Sequence, residues 1–352
     1  MESPAAAAPL QGHIEMRAGV ATAYLPANLV FRGESVDPCA LAALGAVMGE
    51  GRKAGAVLGL GVEIGTGSIK LLGRTWRGVV GETTSNIKIQ VPRLPDRHYV
   101  SSLNRLLDGL RHELGLSLID ARRLDPADAE NMFAGFGPIR DFAYAYGTHG
   151  LRRLGRRGGE LEQVRILSGD EEGLLAFDAI VPEDGRRPGV VAVEIGTGST
   201  EIVRVAADGR RLPLALALGG ETPALPDIRH FLATEDIGTL APWLESPQDG
   251  ISAFFSGGAA ARELYINPSR ASATFRAFAG GGDVVSLDAS VIESFRSAHP
   301  GDGFAAKAEI LLAILDGLGL TGFRAGQAGG LKAGMARLVA TGLAHVKARA
   351  KE

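Results

Sequence analysis

The chain has 352 residues, enough for about two domains at the usual ~150 residues each, and its 45% hydrophobic and 22% charged residues are those of a soluble folded protein. A net charge of −3 excludes a polycation that coats nucleic acid, and the single cysteine, Cys39, excludes an internal disulfide or a cysteine-built zinc site. No apolar run approaches the ~18 residues of a membrane span, and the opening Met-Glu-Ser-Pro lacks a basic signal-peptide region, so a cytoplasmic protein without membrane partners is expected.

Residues 1–50 read as an N-terminal extension, with a mobile Ala/Pro-rich start and short helical character over Ala40–Met48. The folded core begins near Ala56. Val57 to Ile64 is an apolar strand ending in a glycine turn, and Ile69 to Trp76 is the returning strand. Tyr99 to Leu114 has helical spacing through Leu103, Leu106, Leu107 and Leu110. Strands follow at Phe142–Tyr146 and Gln163–Leu167, then a helix at Asp170–Phe177 capped by Ser168 or Asp170. The polar stretch Pro182–Pro188 is the expected boundary between a domain over 51–181 and a second over 182–345, with a tail at 346–352. Beyond it come strands at Gly189–Ile195, Glu201–Ala206 and Leu212–Leu218. An apolar run to Phe255, a Ser256-Gly257-Gly258 turn, a helix at Ala305–Leu318 and a strand near Phe323 follow. A final helix from Leu331 to about Lys347 could return toward the first domain.

The most specific local feature is a repeat. Val62-Glu63-Ile64-Gly65-Thr66-Gly67-Ser68 recurs as Val193-Glu194-Ile195-Gly196-Thr197-Gly198-Ser199, 131 residues later. That spacing points to two related domains, because solenoid repeats have periods of only ~20–50 residues. A glycine hairpin lets backbone N–H groups approach a ligand and form an anion-binding concavity. The Thr and Ser hydroxyls add donors, and Glu63 or Glu194 at the strand end can hold a hydrated Mg²⁺. Two such loops facing across a cleft would clamp a phosphate chain. Other nucleotide signatures fail: no G-x-x-x-x-G-K-[ST] loop occurs, and the glycine turns lead into strands rather than helices. The chain is also rich in forked phosphate donors, with 30 Arg against 7 Lys.

These residues resemble the exopolyphosphatase/pppGpp-phosphohydrolase (Ppx/GppA) family, a branch of the actin-like ATPase superfamily, over about residues 56–342. Glu63 to Leu72 looks like the first phosphate loop, Gly147-Thr148-His149-Gly150-Leu151-Arg152 like G-T-x-x-x-R, and Ile166 to Gly173 like I-S-G-x-E-E-A. Glu194 to Ile202 resembles D-I-G-G-G-S-T-E-L, with Thr200 and Glu201 in place, and Gly329 to Gly334 resembles the closing G-L-R-E-G. The resemblance implies an α/β protein of two actin-like (ribonuclease H-like) domains, with mixed sheets flanked by helices and an interdomain cleft. It implies Mg²⁺-dependent attack of water on a terminal phosphoryl group of polyphosphate, a guanosine polyphosphate or another phosphorylated nucleotide or metabolite. Glu172 would be the general base. Glu63, Glu194 and Glu171 would attend the metal. Phosphate would be held by Gly65, Thr66, Gly67, Ser68, Lys70, Thr148, Arg152, Gly196, Thr197, Gly198, Ser199, Thr200, Gly257 and Gly258. His149 reads as a polar loop residue, and Arg152 with its arginine neighbours reads equally as a solvated basic face. No nucleic-acid partner is expected, and a homodimer is left open.

The chain departs from the pattern at several positions. Glutamates replace both family aspartates at 63 and 194, Gly67 replaces an Asn, Ala259 a Thr, and Lys332 and Ala333 an Arg and a Glu. A ligand shifted by ~1 Å can cost on the order of 10²-fold in rate, so two alternatives stand beside hydrolysis. One is a phosphate- or nucleotide-binding regulator with weak turnover, and the other is a kinase-like phosphotransferase on the same scaffold.

Overall fold

In a computed structural model, the described residues are 164–222, 225–267, 284–286, 289–298 and 304–326. Before these they comprise 13–17, 20–25, 31–32, 35–36, 57–65, 68–75, 84–90, 117–118, 142–149 and 151–152, with short helical pieces between 42 and 115. The chain divides into two units, 1–146 with 154–165 and 336–352, and 147–153 with 166–335.

The first unit is built on a sheet that begins with β1 (His13–Arg17) and β2 (Val20–Leu25), and a separate two-stranded ribbon pairs β3 (Phe31–Arg32) with β4 (Ser35–Val36). The main sheet continues through β5 (Val57–Ile64), β6 (Ser68–Thr75), β7 (Thr84–Gln90), β8 (Ser117–Leu118), β9 (Phe142–Gly147) and β10 (Arg165–Ile166), in the spatial order β1-β2-β7-β6-β5-β9-β10 with β8 beside β9. β5, β6 and β7 form an antiparallel meander, in which Glu63 is opposite Lys70 and Ile64 opposite Ile69. The N-terminal extension is more than an appendage, because β2 pairs in parallel with the edge strand β7 and so lengthens the sheet. The sequence hides this join, since the Pro- and Gly-rich turns around β1 and β2 suggest isolated ribbons. The expected final helix, the closing motif, Cys39 and the mobile start lie outside the described residues.

The second unit repeats the plan. Its strands are β11 (Val190–Ile195), β12 (Thr200–Val205), β13 (Arg211–Leu216), β14 (Glu263–Ile266), β15 (Val284–Ser286) and β16 (Gly322–Ala325), in the order β13-β12-β11-β14-β16-β15. The meander β11-β12-β13 is antiparallel, whereas β14 and β16 join in parallel. A three-strand meander extended by parallel strands and flanked by helices is the ribonuclease H-like plan of actin-like proteins, so the α/β fold class expected from the sequence holds.

Helix α1 (Gly169–Ile180) covers one sheet face, and α2 (Ile228–Thr234), α3 (Gln248–Gly257) and α5 (Phe304–Gly317) serve the other, with α4 (Ala289–Ala298) preceding α5. The strands explain this division. Alternation sends Val191, Val193, Ile202, Leu214 and Leu216 into the main core with Phe231, Phe254, Ile310 and Ile314, all 1% exposed or less. Their neighbours Ala192, Glu194, Glu201 and Val203 pair across β11 and β12 on the α1 face. In α1 the buried positions 169, 172, 173, 176, 177 and 180, with 179 beside them, follow helical spacing, and this stripe packs on the second sheet. The expected boundary at 181/182 is therefore corrected: α1 belongs with the second unit. Pro182–Pro188 is a short tether inside that unit, where Arg186 donates to the Asp178 carbonyl at 2.8 Å.

Candidate functional site

The β11–β12 hairpin ends in the loop Gly196–Ser199, closed by the Gly196 N–H donating to the Ser199 carbonyl at 2.8 Å. The carbonyls of Gly196 and Thr197 accept from Gly220 at 3.1 Å and Glu221 at 3.0 Å. In a trans peptide the N–H points away from the preceding C=O, so tying these carbonyls to the 219–222 turn aims the Thr197 and Gly198 amides to the opposite side. A half-exposed pair of outward amides is the concavity an anion needs. Gly219 is required beneath it, since a Cβ there would meet the Thr197 carbonyl carbon and oxygen at 2.5 Å.

Acidic side chains gather beside this loop. Glu194 and Glu201 are direct cross-strand partners on β11 and β12, 7% and 2% exposed. Helix α1 lays Glu172, 6% exposed, over the same face. Burial pushes the Glu201 carboxyl well above the ordinary carboxylate range, the charges of Glu172 and Glu194 push it further, and Ser199 and Arg152 oppose them. No hydrogen bond of normal geometry reaches either Glu201 oxygen among the described residues. The Glu194 carboxylate accepts from the Asn267 amide at 2.8 Å. Asn267 stands at the C-terminal end of β14, where its N–H donates to the Val193 carbonyl at 3.0 Å.

Arg152 organises the other side. Thr148 turns the chain after β9, its carbonyl accepting from Leu151 and Arg152, and this aims the guanidinium inward. Nη1 donates to Glu172 Oε2 at 2.9 Å and to the Leu167 carbonyl at 3.0 Å, while Nη2 donates to Glu245 Oε2 at 2.6 Å. Glu245 Oε1 lies 2.7 Å from His149 Nδ1. Burial works against ionisation of both Arg152 and Glu245, yet Glu172 and Glu245 keep the Arg152 pKa raised. For Glu245, the bond from His149 and the Arg152 charge outweigh its burial and hold the carboxyl below its usual range. Residues 243–246 deliver Glu245 by running along β13: Ala217 donates to the Trp243 carbonyl, Glu245 donates to the Ala215 carbonyl, and Ser246 Oγ accepts from Ala215. The Ser246 hydroxyl in turn donates to Asp170, whose pKa is raised by burial.

The structure brings Glu172, Glu194, Gly196, Thr197, Gly198, Ser199, Thr148 and Arg152 into this one unit. Five of the expected residues make different contacts. Glu171 is not beside the acids on the α1 stripe. It completes a capping box, accepting from the Ser168 N–H at 2.9 Å while Ser168 Oγ accepts from its own amide, and so holds the start of the helix. Arg152 binds carboxylates instead of presenting a free phosphate fork. Thr200 is fully buried and donates to the Leu218 carbonyl at 2.7 Å, a bond to the segment just after β13. Gly257 ends α3 and Gly258 bridges to Ala206, at the far end of β12 from the loop, so neither reaches the anion concavity.

In the first unit Glu63 is buried and Gly65 half-buried at the end of β5. Ser68 and Lys70 lie in the backbone of β6, and Thr66 and Gly67 lie outside the described residues. Sequence reasoning missed Glu245, Asn267 and the role of His149, and it did not place Glu201 in the site. Only Glu201 carried a usable signal, as the acid opposite Glu194 in an alternating strand.

Fold and site together define an actin-like α/β protein whose β11–β12 glycine loop is bordered by buried carboxyls. Among solved structures the chain is similar to an exopolyphosphatase-like protein, at 19% identity, with 79% of this chain and 96% of that chain covered and a TM-score of 0.46. It is also similar to an exopolyphosphatase from Cytophaga hutchinsonii, at 14% identity, 78% and 95% coverage and a TM-score of 0.45. For the Ppx/GppA phosphatase of Aquifex aeolicus the values are 12%, 79%, 97% and 0.40. No protein-family model matches the chain, and no curated protein matches it in sequence. Identities this low leave the chemistry to be read from the residues themselves.

Proposed function

We propose that the chain is a Mg²⁺-dependent phosphohydrolase that releases a terminal phosphoryl group from a polyphosphate or a phosphorylated nucleotide, with Glu172 as general base. One observation carries this reading. Of the two adjacent glutamates at the start of α1, the helix turns Glu172 inward to the acids beside the anion loop and Glu171 outward into the cap. The amides of Thr197 and Gly198 would receive phosphate oxygens, and Arg152 would orient the Glu172 carboxylate through the 2.9 Å bond. A carboxylate so held is competent to take a proton from an attacking water. Phosphoryl transfer needs little covalent help, so positioning and charge compensation suffice.

The donor set fits a magnesium ion. Glu172, Glu194 and Glu201 concentrate carboxyls close enough to perturb one another, and an ion there would neutralise charge on phosphate oxygens. Among the described residues no three acidic or histidine side chains converge as direct ligands, so Glu194 and Glu172 would hold the metal through water, as Mg²⁺ commonly allows.

The test is a phosphate-release screen over linear polyphosphates, guanosine polyphosphates and nucleoside triphosphates, with and without Mg²⁺. Release from at least one of these that depends on the metal is expected. Saturable binding with no release from any compound would instead make the chain a phosphate-binding regulator.

A further inference from the structure

A second charged region lies at the other end of the same sheet. The parallel strands β11, β14 and β16 begin at Val190, Glu263 and Gly322, and a cavity of ≈ 450 Å³ opens beside these starts. Three guanidinium groups line it, from Arg187, Arg262 and Arg324, against one carboxylate, Glu263. Glu263 holds two of them: Oε2 accepts from Arg187 Nη2 at 3.1 Å, and Oε1 accepts from Arg324 Nε. Two cationic forks therefore sit within the span of a single carboxylate. The remaining Arg262 is exposed, and its guanidinium makes no bond among the described residues. The lining thus carries three positive charges and one negative, above apolar walls from Pro188 and Leu320.

We infer that this cavity is a second anion site, for a compound bearing two or more linked phosphate groups. Three arginines whose repulsion is only partly relieved by Glu263 gain from a further anion, and guanidinium forks match phosphate oxygens in pairs. The volume falls in the range of ~300–1,000 Å³ typical of small-ligand sites, larger than a single phosphate needs. The location separates it from the candidate catalytic loop. β11 runs six residues from Val190 to Ile195, so the two regions lie on the order of 20 Å apart along the strands. The inference stands independently of the proposed hydrolysis, because none of the cavity's charged residues belongs to the loop or to the acids beside it.

The experiment is isothermal titration of the full chain with tripolyphosphate and, separately, with ATP, each without Mg²⁺. Wild type is compared with Arg262→Glu, Arg324→Glu and, as a lesion of the other site, Gly219→Ala. A binding component is expected that survives Gly219→Ala and weakens at least tenfold in each arginine variant. Circular dichroism checks their fold, and Arg262→Gln replaces the charge reversal where that reversal disturbs it. Binding of both compounds would mean that linked phosphates suffice, and binding of ATP alone would mean that the apolar walls select a nucleoside. Isotherms of the arginine variants that superimpose on wild type, or no binding of either compound at millimolar concentration, would overturn the inference.

Discussion

Replacing Glu201 by glutamine should change how stability depends on pH. In the folded chain this carboxyl is completely buried beside Glu172 and Glu194, and its pKa is raised far above the unfolded value of about 4.3. Between those two values the folded state keeps a proton that the unfolded chain has released. The stability from this proton is therefore fully present below about pH 4.3 and is lost as pH rises toward the folded pKa. As pH rises above that value, wild type should therefore lose stability relative to Glu201→Gln, which has no proton to release. Other titrating groups are common to both proteins and largely cancel in the comparison. Urea unfolding of both proteins across a series of pH values, with a chelator present, measures the difference. Parallel stability–pH curves would show that Glu201 ionises freely on folding and would refute the clustering of acids beside the loop.

Removing Arg152, as Arg152→Met, should destabilise the chain by about 3–5 kcal/mol in chemical denaturation, because it takes away the buried cation that the Glu172 and Glu245 carboxylates share. Gly219→Ala should push the Thr197 carbonyl out of place, cost about 1–3 kcal/mol and weaken phosphate binding at the loop, read by titration. Glu171→Gln should preserve the capping box and leave phosphate release within a few-fold of wild type; loss of metal dependence in that variant would restore Glu171 as a ligand.

The second unit was largely legible in the sequence, because its signals are local. The strand, glycine turn and strand of Val190–Val205 announce themselves by composition, and Ser168 followed by Glu171 is a capping signature that fixes the start of α1. The same register separates the two glutamates. Glu172 shares a helical face with Ala176 and Ile180, and Glu171 does not, so three-residue and four-residue spacing alone could have reassigned Glu171 to the cap. Glu245 was beyond reach. It sits in an irregular stretch after the short helix Gly238–Trp243, meets Arg152 from 93 residues away, and depends on pairing with β13 that no local pattern encodes. Asn267 failed for a related reason: β14 is only four residues long, so its role as the parallel neighbour of β11 appears only in the assembled sheet. The Gly257–Gly258 assignment misled because a glycine pair at the end of α3 has the composition of a ligand turn, although its neighbours make it a packing contact.

The most direct measurement is the rate of phosphate release by wild type and by Glu172→Gln, on the best compound from the Mg²⁺ screen, alongside binding of that compound to both. Glutamine keeps the shape of the side chain and can still face Arg152, but it cannot accept the proton of the attacking water. Release at least 10²-fold slower with binding retained is the expected result, in line with the usual contribution of a positioned base. Undiminished release from the glutamine variant would contradict the assignment of Glu172 and with it the proposed chemistry.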